Sequence, residues 1–494
     1  MKKIIVALSA ICVVQVMLIV SCVLARTWTD STGKYQVQAD FVKFENGQVF
    51  LKTQDGKTLA IPMSKLSTAD QSWVRDELRR RRDGGGSTNS TPGSSSGSGS
   101  SSGEWAQWRG PNRDGISSET GLLASWDNDG PPVAWSTRGA GRGYSSVSVS
   151  GGRIFTMGNR RGGEELIAFN AQDGEFLWSA PVGQGKDCNC TPTVDGNLVF
   201  GLGRNGDLVC VDAESGRVIW KKNFGSDYRG RMMSGWGYSE SPLVDGDRLI
   251  CTPGSDDAIL AALNKRTGQT IWQTRMPSSG GAGYASPVIS NAGGIKQYVT
   301  LVGRGLIGVA ADDGRLLWHY QRIANGTANV PTPIVKGDYV FGSSGYGDGG
   351  SALLELRKSG NSIQAREVYY KSSKELQNHH GGMVLIGDHI FMGHGHNNGF
   401  PVCVDMRTGR AAWGPERGPG GNSAAITAAD GHLYFRYEDG TMALIEANPR
   451  QYKLKGSFRI KSVNGKSWPH PVIADKKLYL RDQDELHCYD IAAR

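Results

Sequence analysis

TPTVDGNLVFGLGRNGDLVCVDAESGRVIW, residues 191–220, sets short apolar runs between two-residue turns at Asp195-Gly196, Asn205-Gly206 and Ser215-Gly216. Each turn pair supplies the positive φ that a tight hairpin needs, and each run is too short for a helix but right for a strand. The stretch therefore reads as four consecutive antiparallel strands, the last ending in Trp220. Four strands in a unit of about 45 residues is one blade of a β-propeller.

Outward from this unit the pattern recurs. A glycine stands four residues before a tryptophan in Gly174/Trp178, Gly216/Trp220, Gly268/Trp272, Gly314/Trp318 and Gly409/Trp413. Trp135, Trp178, Trp220, Trp272 and Trp318 follow one another at intervals of 42 to 52 residues, and 95 residues then separate Trp318 from Trp413, so one unit near Glu367 to Tyr369 lacks its tryptophan. Phe458 takes the place in the next unit. The final unit ends after its third strand, and "PPVAWST" around Trp135 has no blade of its own. Pairing the two closes a ring of eight and leaves no free edge. The expected fold class is all-β: an eight-bladed propeller over 104–494, with the Trp135 strand completing the C-terminal blade.

Composition agrees: 69 glycines in 494 residues and 21% charged residues argue against a helical bundle. The formal charge is +8, but Lys2, Lys3 and the run Arg79 to Arg82 supply six of those charges from outside the propeller, which argues against a nucleic-acid partner.

Residues 1–25 read as a signal peptide: two lysines, an apolar run from Ile4 to Val20, then small residues. Cleavage after Ala25 and a lipobox at Cys22, which would put a lipid on that cysteine and a membrane among the partners, are the two processing routes. The protein is expected to be exported, periplasmic or associated with the cell envelope. Six cysteines remain beyond this segment, too few for a disulfide framework. Residues 26–83 form a second, small domain. Val37 to Phe44, Gln48 to Thr53 and Thr58 to Ile61 alternate as strands around Asn46-Gly47 and Asp55-Gly56, and Ser67 caps a helix carrying Asp70, Trp73, Val74 and Leu78. Residues 84–103, GGGSTNSTPGSSSGSGSSSG, have no apolar side chain and are expected to be a flexible tether.

Two resemblances add to this reading. "RTWTDSTGKYQVQADFVKFENGQVFLKTQDGKTLAIPMSKLS" resembles the Sla-type homology domain (SHD), an SH3-like module, which implies a small β-barrel and a peptide- or protein-binding adaptor role. The repeat Ala/Cys-x-Asp-x-x-Thr/Ser-Gly-x-x-x-Trp, with "WAQWRGPNRDG", "NHHGG" and "GHGHNNGFP", resembles the quinoprotein (PQQ-like) propeller family, which includes quinone-dependent alcohol dehydrogenases and BamB-type exported scaffolds.

In an up-and-down blade the segment entering the first strand and the hairpin between the second and third share one face. That face is expected to bind. Its entry segments carry Tyr144, Cys188, Cys190, Trp236, Tyr238, Glu240, Tyr284, Asn329, Asn422, Trp468 and His470, and its hairpins Arg204, Arg304 and Asp256. His379, His380, His394 and His396 fall on the same face of one blade, an imidazole set suited to a transition metal or to packing and loop hydrogen bonds. The dehydrogenases hold two adjacent cysteines over their quinone; here Asn189 separates Cys188 from Cys190. PQQ with calcium would call on Glu240, Asp256, Asn329, Trp236, Trp468 and Arg304. The leading expectation is an exported binding scaffold whose partner is a protein, a peptide or a glycan. The alternatives are a PQQ- or metal-dependent oxidoreductase and a BamB-like outer-membrane assembly scaffold.

Overall fold

A computed structural model describes residues 26–32, 35–45, 48–53, 55–67, 70, 74 and 103–493. The signal segment with Cys22, the Asn46-Gly47 turn, Trp73, Leu78, the arginines 79–82 and residues 84–102 lie outside the described residues. The chain divides into two compact units, Met1–Gly97 and Ser98–Arg494.

In the first unit four strands pair in chain order, Arg26–Thr29, Gln36–Glu45, Gln48–Thr53 and Thr58–Pro62, one strand more than the meander expected from the turn signals. Trp28, Ala39, Phe41, Val49, Leu51, Leu66 and Val74 form its core. Ser67 Oγ accepts the Asp70 N–H at 3.2 Å, an N-cap bond, and the Asp70 carboxylate receives the Thr29 N–H and the Arg26 guanidinium.

The second unit holds eight four-stranded antiparallel sheets, an all-β propeller. Seven run in chain order. The eighth comprises Val472–Ala474, Lys477–Asp482 and Glu485–Asp490, with Val133–Arg138 as its outermost strand, so that Cys488 faces Trp135.

Six of the eight blades are joined to the next by an aromatic residue of the fourth strand, which does not end the strand as the repeat suggested: Trp220 lies within Val218–Asn223 and Trp178 within Phe176–Gly183. Trp135, Trp178, Trp220 and Trp272 donate through Nε1 to the carbonyls of Ala171, Ala213, Lys265 and Ala311 in the next blade, at 3.0 to 3.3 Å. Trp413 does the same to Asn448 at 2.7 Å. In the unit without a tryptophan, Tyr369 donates through its hydroxyl to Met406 at 2.9 Å. The repeat glycine lies on the ring of the preceding blade, not on that of its own unit: Gly174 on Trp135, Gly216 on Trp178, Gly268 on Trp220, Gly314 on Trp272, Gly409 on Tyr369. Trp318 differs, donating to Gln297 Oε1 within its own sheet.

Ring closure adds a buried cation. The guanidinium of Arg481, 1% exposed in the eighth blade, donates to the carbonyls of Ser145, Met157, Ala140 and Gly141 on the first-blade side and to Gln483 on its own. Burial lowers its pKa only to about 10, so it remains charged at neutral pH.

Residues 105–117 lie across the axial channel. Trp105 exchanges two backbone hydrogen bonds with Val149, Ala106 accepts from Val194, Arg113 donates to the Ser241 and Pro242 carbonyls, Arg109 to Met383, and Ala428 pairs with Gly115 and Ser117. Arg109 and Arg113 hold φ of 61° and 57°, a conformation strained for non-glycine residues. Their guanidiniums, tied to inner-strand carbonyls, hold it in place.

Two predictions test these joints by thermal denaturation. Gly216→Ala places a Cβ 2.6 Å from Trp178 Cε3 at φ +71°, whereas Gly196→Ala, at φ +58°, meets nothing within 4 Å. Both carry the cost of left-handed alanine, so the difference reads the indole contact: Gly216→Ala should be less stable than Gly196→Ala by about 1–3 kcal/mol. Equal melting temperatures would contradict the docking role. Arg481→Met should cost roughly 3 kcal/mol or more, because five carbonyls, four of them buried, lose a charged donor.

Candidate functional site

The inner strands surround the axis, and the extended segments leading into them alternate side chains toward the axis and into the blade core. Asp187 and Asn189 face a cavity while Cys188 and Cys190 are buried; Lys466, Trp468 and His470 face it while Ser467 is buried. The cavity is about 410 Å³ and opens on the face where these segments and the second-to-third-strand hairpins converge. Tyr144, Trp236, Tyr284, His380, Trp468 and His470 line it, with Arg204 and Tyr346 from the hairpins. Trp108 and Arg109, from the segment across the channel, also line it and close its inner end. Further along the same inner strands a second cavity of about 260 Å³ is lined by Arg109, Asn112, Arg113 and Asp114.

Six rings make a continuous arc at the mouth. Tyr144 and Trp468 lie 4.5 Å apart between centroids, Trp468 and His380 5.0 Å, His380 and His379 4.2 Å, His379 and Tyr346 4.7 Å, and Tyr346 and His396 5.0 Å. Across the cavity Trp236 is 52% exposed, while the Tyr284 hydroxyl bonds Ser234 at 2.6 Å. Trp468 is held in place: its Nε1 donates to Glu438 at 2.7 Å, and Lys466, paired to Glu438 at 3.2 Å, sits over the ring. Asp187 accepts from Arg142 at 2.8 Å. The Arg204 guanidinium donates to the Gly235 carbonyl and to no carboxylate among the described residues, while the Arg204 backbone N–H donates to Glu164 at 2.7 Å.

The remaining expected site residues lie elsewhere. Cys188 and Cys190 are buried free thiols; burial pushes the first well up and the second to about 12. Tyr238 is buried and donates to the Pro253 carbonyl. Glu240 is buried with both carboxylate oxygens bonded to Thr252, and burial raises its pKa to about 7. Asn329 spends its amide on Val302, Gly303 and Asn325. Arg304 and Asn422 are exposed but line no part of the cavity.

The four histidines do not form the metal site that their grouping suggested. Among the described residues no three His, Cys, Asp or Glu side chains are placed to hold an ion. His394 turns away and accepts the Gln377 N–H, while His379, His380 and His396 stack against one another with Tyr346. Burial lowers His379 to about 4 and His470 to about 3, and pushes His380 well down, so these rings are neutral at physiological pH. Nor do the residues fit PQQ with calcium. The one carboxylate lining the cavity, Asp187, is paired to Arg142; Glu240 and Asn329 are committed beneath it; Asp256 is bonded to Arg231 and Ser279; and the cysteines form no lid.

Sequence spacing marks the entry residues but not Trp108, Arg109, Tyr346 or Lys466. Tyr346 and Lys466 occupy hairpin and entry positions equivalent to those of Arg204 and Tyr144. Trp108 and Arg109 precede the first unit, where the repeat says nothing.

A family model described as outer membrane protein assembly factor BamB matches residues 113–191 and 184–415, and one described as SLA1 homology domain 1 matches residues 22–82. The outer membrane protein assembly factor BamB of Aliivibrio fischeri is 35% identical over 95 residues, covering 17% of this chain and 24% of that protein. That of Yersinia pestis is 26% identical over 298 residues, covering 56% and 67%. The chain thus spans from about a quarter to two thirds of these relatives' length. Among solved structures, BamB from Moraxella catarrhalis superposes with a TM-score of 0.52 at 14% identity, over 73% of this chain and 97% of that one. A quinohemoprotein alcohol dehydrogenase from Pseudomonas putida HK5 does so with 0.55 at 12%, over 79% and 81%. These two share the fold. With more than half of its length matched by one model, the chain belongs to the PQQ-like β-propeller family described as outer membrane protein assembly factor BamB.

Proposed function

We infer that the chain is an exported binding scaffold of the cell envelope whose propeller receives its partner on the face where the 410 Å³ cavity opens. The observation that carries this is the aromatic mouth itself: exposed Trp236 opposite the Tyr144–Trp468 pair, over a floor closed by Trp108 and Arg109. Large aromatic side chains around a concave, partly dry surface are what binding faces use, since each buries much apolar area at small entropic cost. The relatives' printed name, outer membrane protein assembly factor, supports a protein partner in the envelope; a peptide or a glycan is also accommodated by such a mouth. The N-terminal module serves as a peptide- or protein-binding adaptor, and cleavage after Ala25 or a lipid on Cys22 sets whether the chain is free or anchored.

A quinone oxidoreductase is the weaker reading, because the groups it would need are committed to other bonds.

Two measurements test this function. A photo-crosslinking residue at Gly235, where a side chain meets nothing within 4 Å beside Trp236, should give a defined adduct in envelopes of cells expressing the full chain, whereas the same residue at Asp312, on the opposite face, should give none. Equal yields from both would refute the assignment of the face. Titration of the purified chain with PQQ and calcium should give no dye-linked alcohol oxidation, and cofactor-dependent turnover would overturn the scaffold reading.

A further inference from the structure

Resting on the reading of this face as a binding face, we propose that the cavity takes an acidic sugar, a carboxylate-bearing pyranose at the end of a glycan chain. Three features of the cavity point to that chemistry. Its apolar surface is mostly flat rings, with only Ala328, Val330 and Pro331 as aliphatic lining. A pyranose presents a flat C–H face to a ring and hydroxyls at its rim. Between the rings stand polar groups with capacity left for those hydroxyls: Asn189 spends its amide N–H groups on Ser239 and Trp236 and keeps its oxygen, and Ser286 and Thr332 accept from Ser241 and Trp108 and keep a hydroxyl proton to donate.

The second feature is charge. Asp187 and Lys466 are each neutralised by a partner, Arg142 and Glu438. The Arg204 guanidinium has no carboxylate partner among the described residues; only its backbone N–H reaches one, Glu164. Arg109, 4% exposed, spends one nitrogen on the Asp114 and Met383 carbonyls, and its Nη1 has no partner; the Asp114 carboxylate acts on it electrostatically without bonding it. A cavity walled by rings, with two guanidiniums and no free carboxylate, carries a positive potential that the low-dielectric walls concentrate. Guanidinium is the cation best matched to a carboxylate, which it can hold by two parallel hydrogen bonds.

Third, the inner end is closed by Trp108 and Arg109, so the cavity admits the end of a chain and not its middle. Its volume lies within the roughly 300–1,000 Å³ of sites that enclose a small ligand. The terminal sugar would stack on the Tyr144–Trp468 pair or on Trp236, with its carboxylate toward Arg204.

The test is titration of the purified full chain with trigalacturonate, followed by calorimetry and tryptophan fluorescence, against its trimethyl ester, which keeps the rings and removes the charge, and against an acetylated tri-glutamate peptide. Trigalacturonate should bind at least about tenfold more tightly than the ester, and the preference should shrink as salt is raised. Arg204→Gln should bring the acid down to the affinity of the ester and leave the ester unchanged, whereas Trp468→Ala should weaken both. Retained melting temperatures would exclude misfolding, and Trp236→Ala, at an exposed position, gives a second ring variant free of that concern. Equal affinity for acid and ester, tighter binding of the peptide, or no binding of either sugar would overturn the proposal. If Gly235 cross-links a partner while no sugar binds, the acidic-sugar assignment falls and the binding face stands.

Discussion

The contact on which the propeller depends is an indole laid against the backbone of the next blade. A four-stranded sheet of this size has two apolar faces and cannot bury both alone, so the ring is stable only as a whole. The tryptophan of the fourth strand meets that need in two ways. Its ring covers apolar area at the interface, and its N–H satisfies a carbonyl that the turn would otherwise leave open, as Trp178 does for Ala213. The glycine above it has no Cβ because the ring occupies that space. Substituting Tyr369 for tryptophan preserves both parts of the contact, with the hydroxyl reaching Met406.

The same logic accounts for the closed floor. Eight inner strands leave an axial gap, and residues 105–117 fill it by bonding to inner strands all round the ring. Two arginines in left-handed conformations are an expensive means of doing so, and their bonds to Met383, Ser241 and Pro242 give the compensation. As a result the cavity has a fixed base on which Trp108 lies, its Nε1 bonded to Thr332.

Strand period, turn chemistry and aromatic spacing made the all-β eight-bladed architecture legible in the sequence, because each blade repeats one local pattern with little dependence on its neighbours. The site was legible only in part. Tyr144, Trp236, Tyr284, His380, Trp468 and His470 do meet in one cavity. Cys188 and Cys190 stand on either side of cavity-lining Asn189 and are buried, because an extended segment sends neighbouring side chains to opposite sides. Spacing alone does not say which parity faces the axis. Nor does it reveal that the repeat glycine serves the preceding ring, since that pairing is between units, or that His394 turns away from the other histidines to bond a backbone amide.

The strand around Trp135 has a consequence for how the molecule is made. Ser136 and His487 touch across 351 positions of chain, so a segment among the first of the propeller to be synthesised finds its partner only when nearly the last residues exist. Until then the eighth blade has an open edge, Arg481 has no first-blade carbonyls to bind, and the segment across the channel has no complete ring to fill. Joining ends so far apart is slow, although the added entropy grows only with the logarithm of the separation. The ring is whole only when this pairing is made, and a chain shortened by a single C-terminal strand would forfeit the staple that binds its beginning to its end.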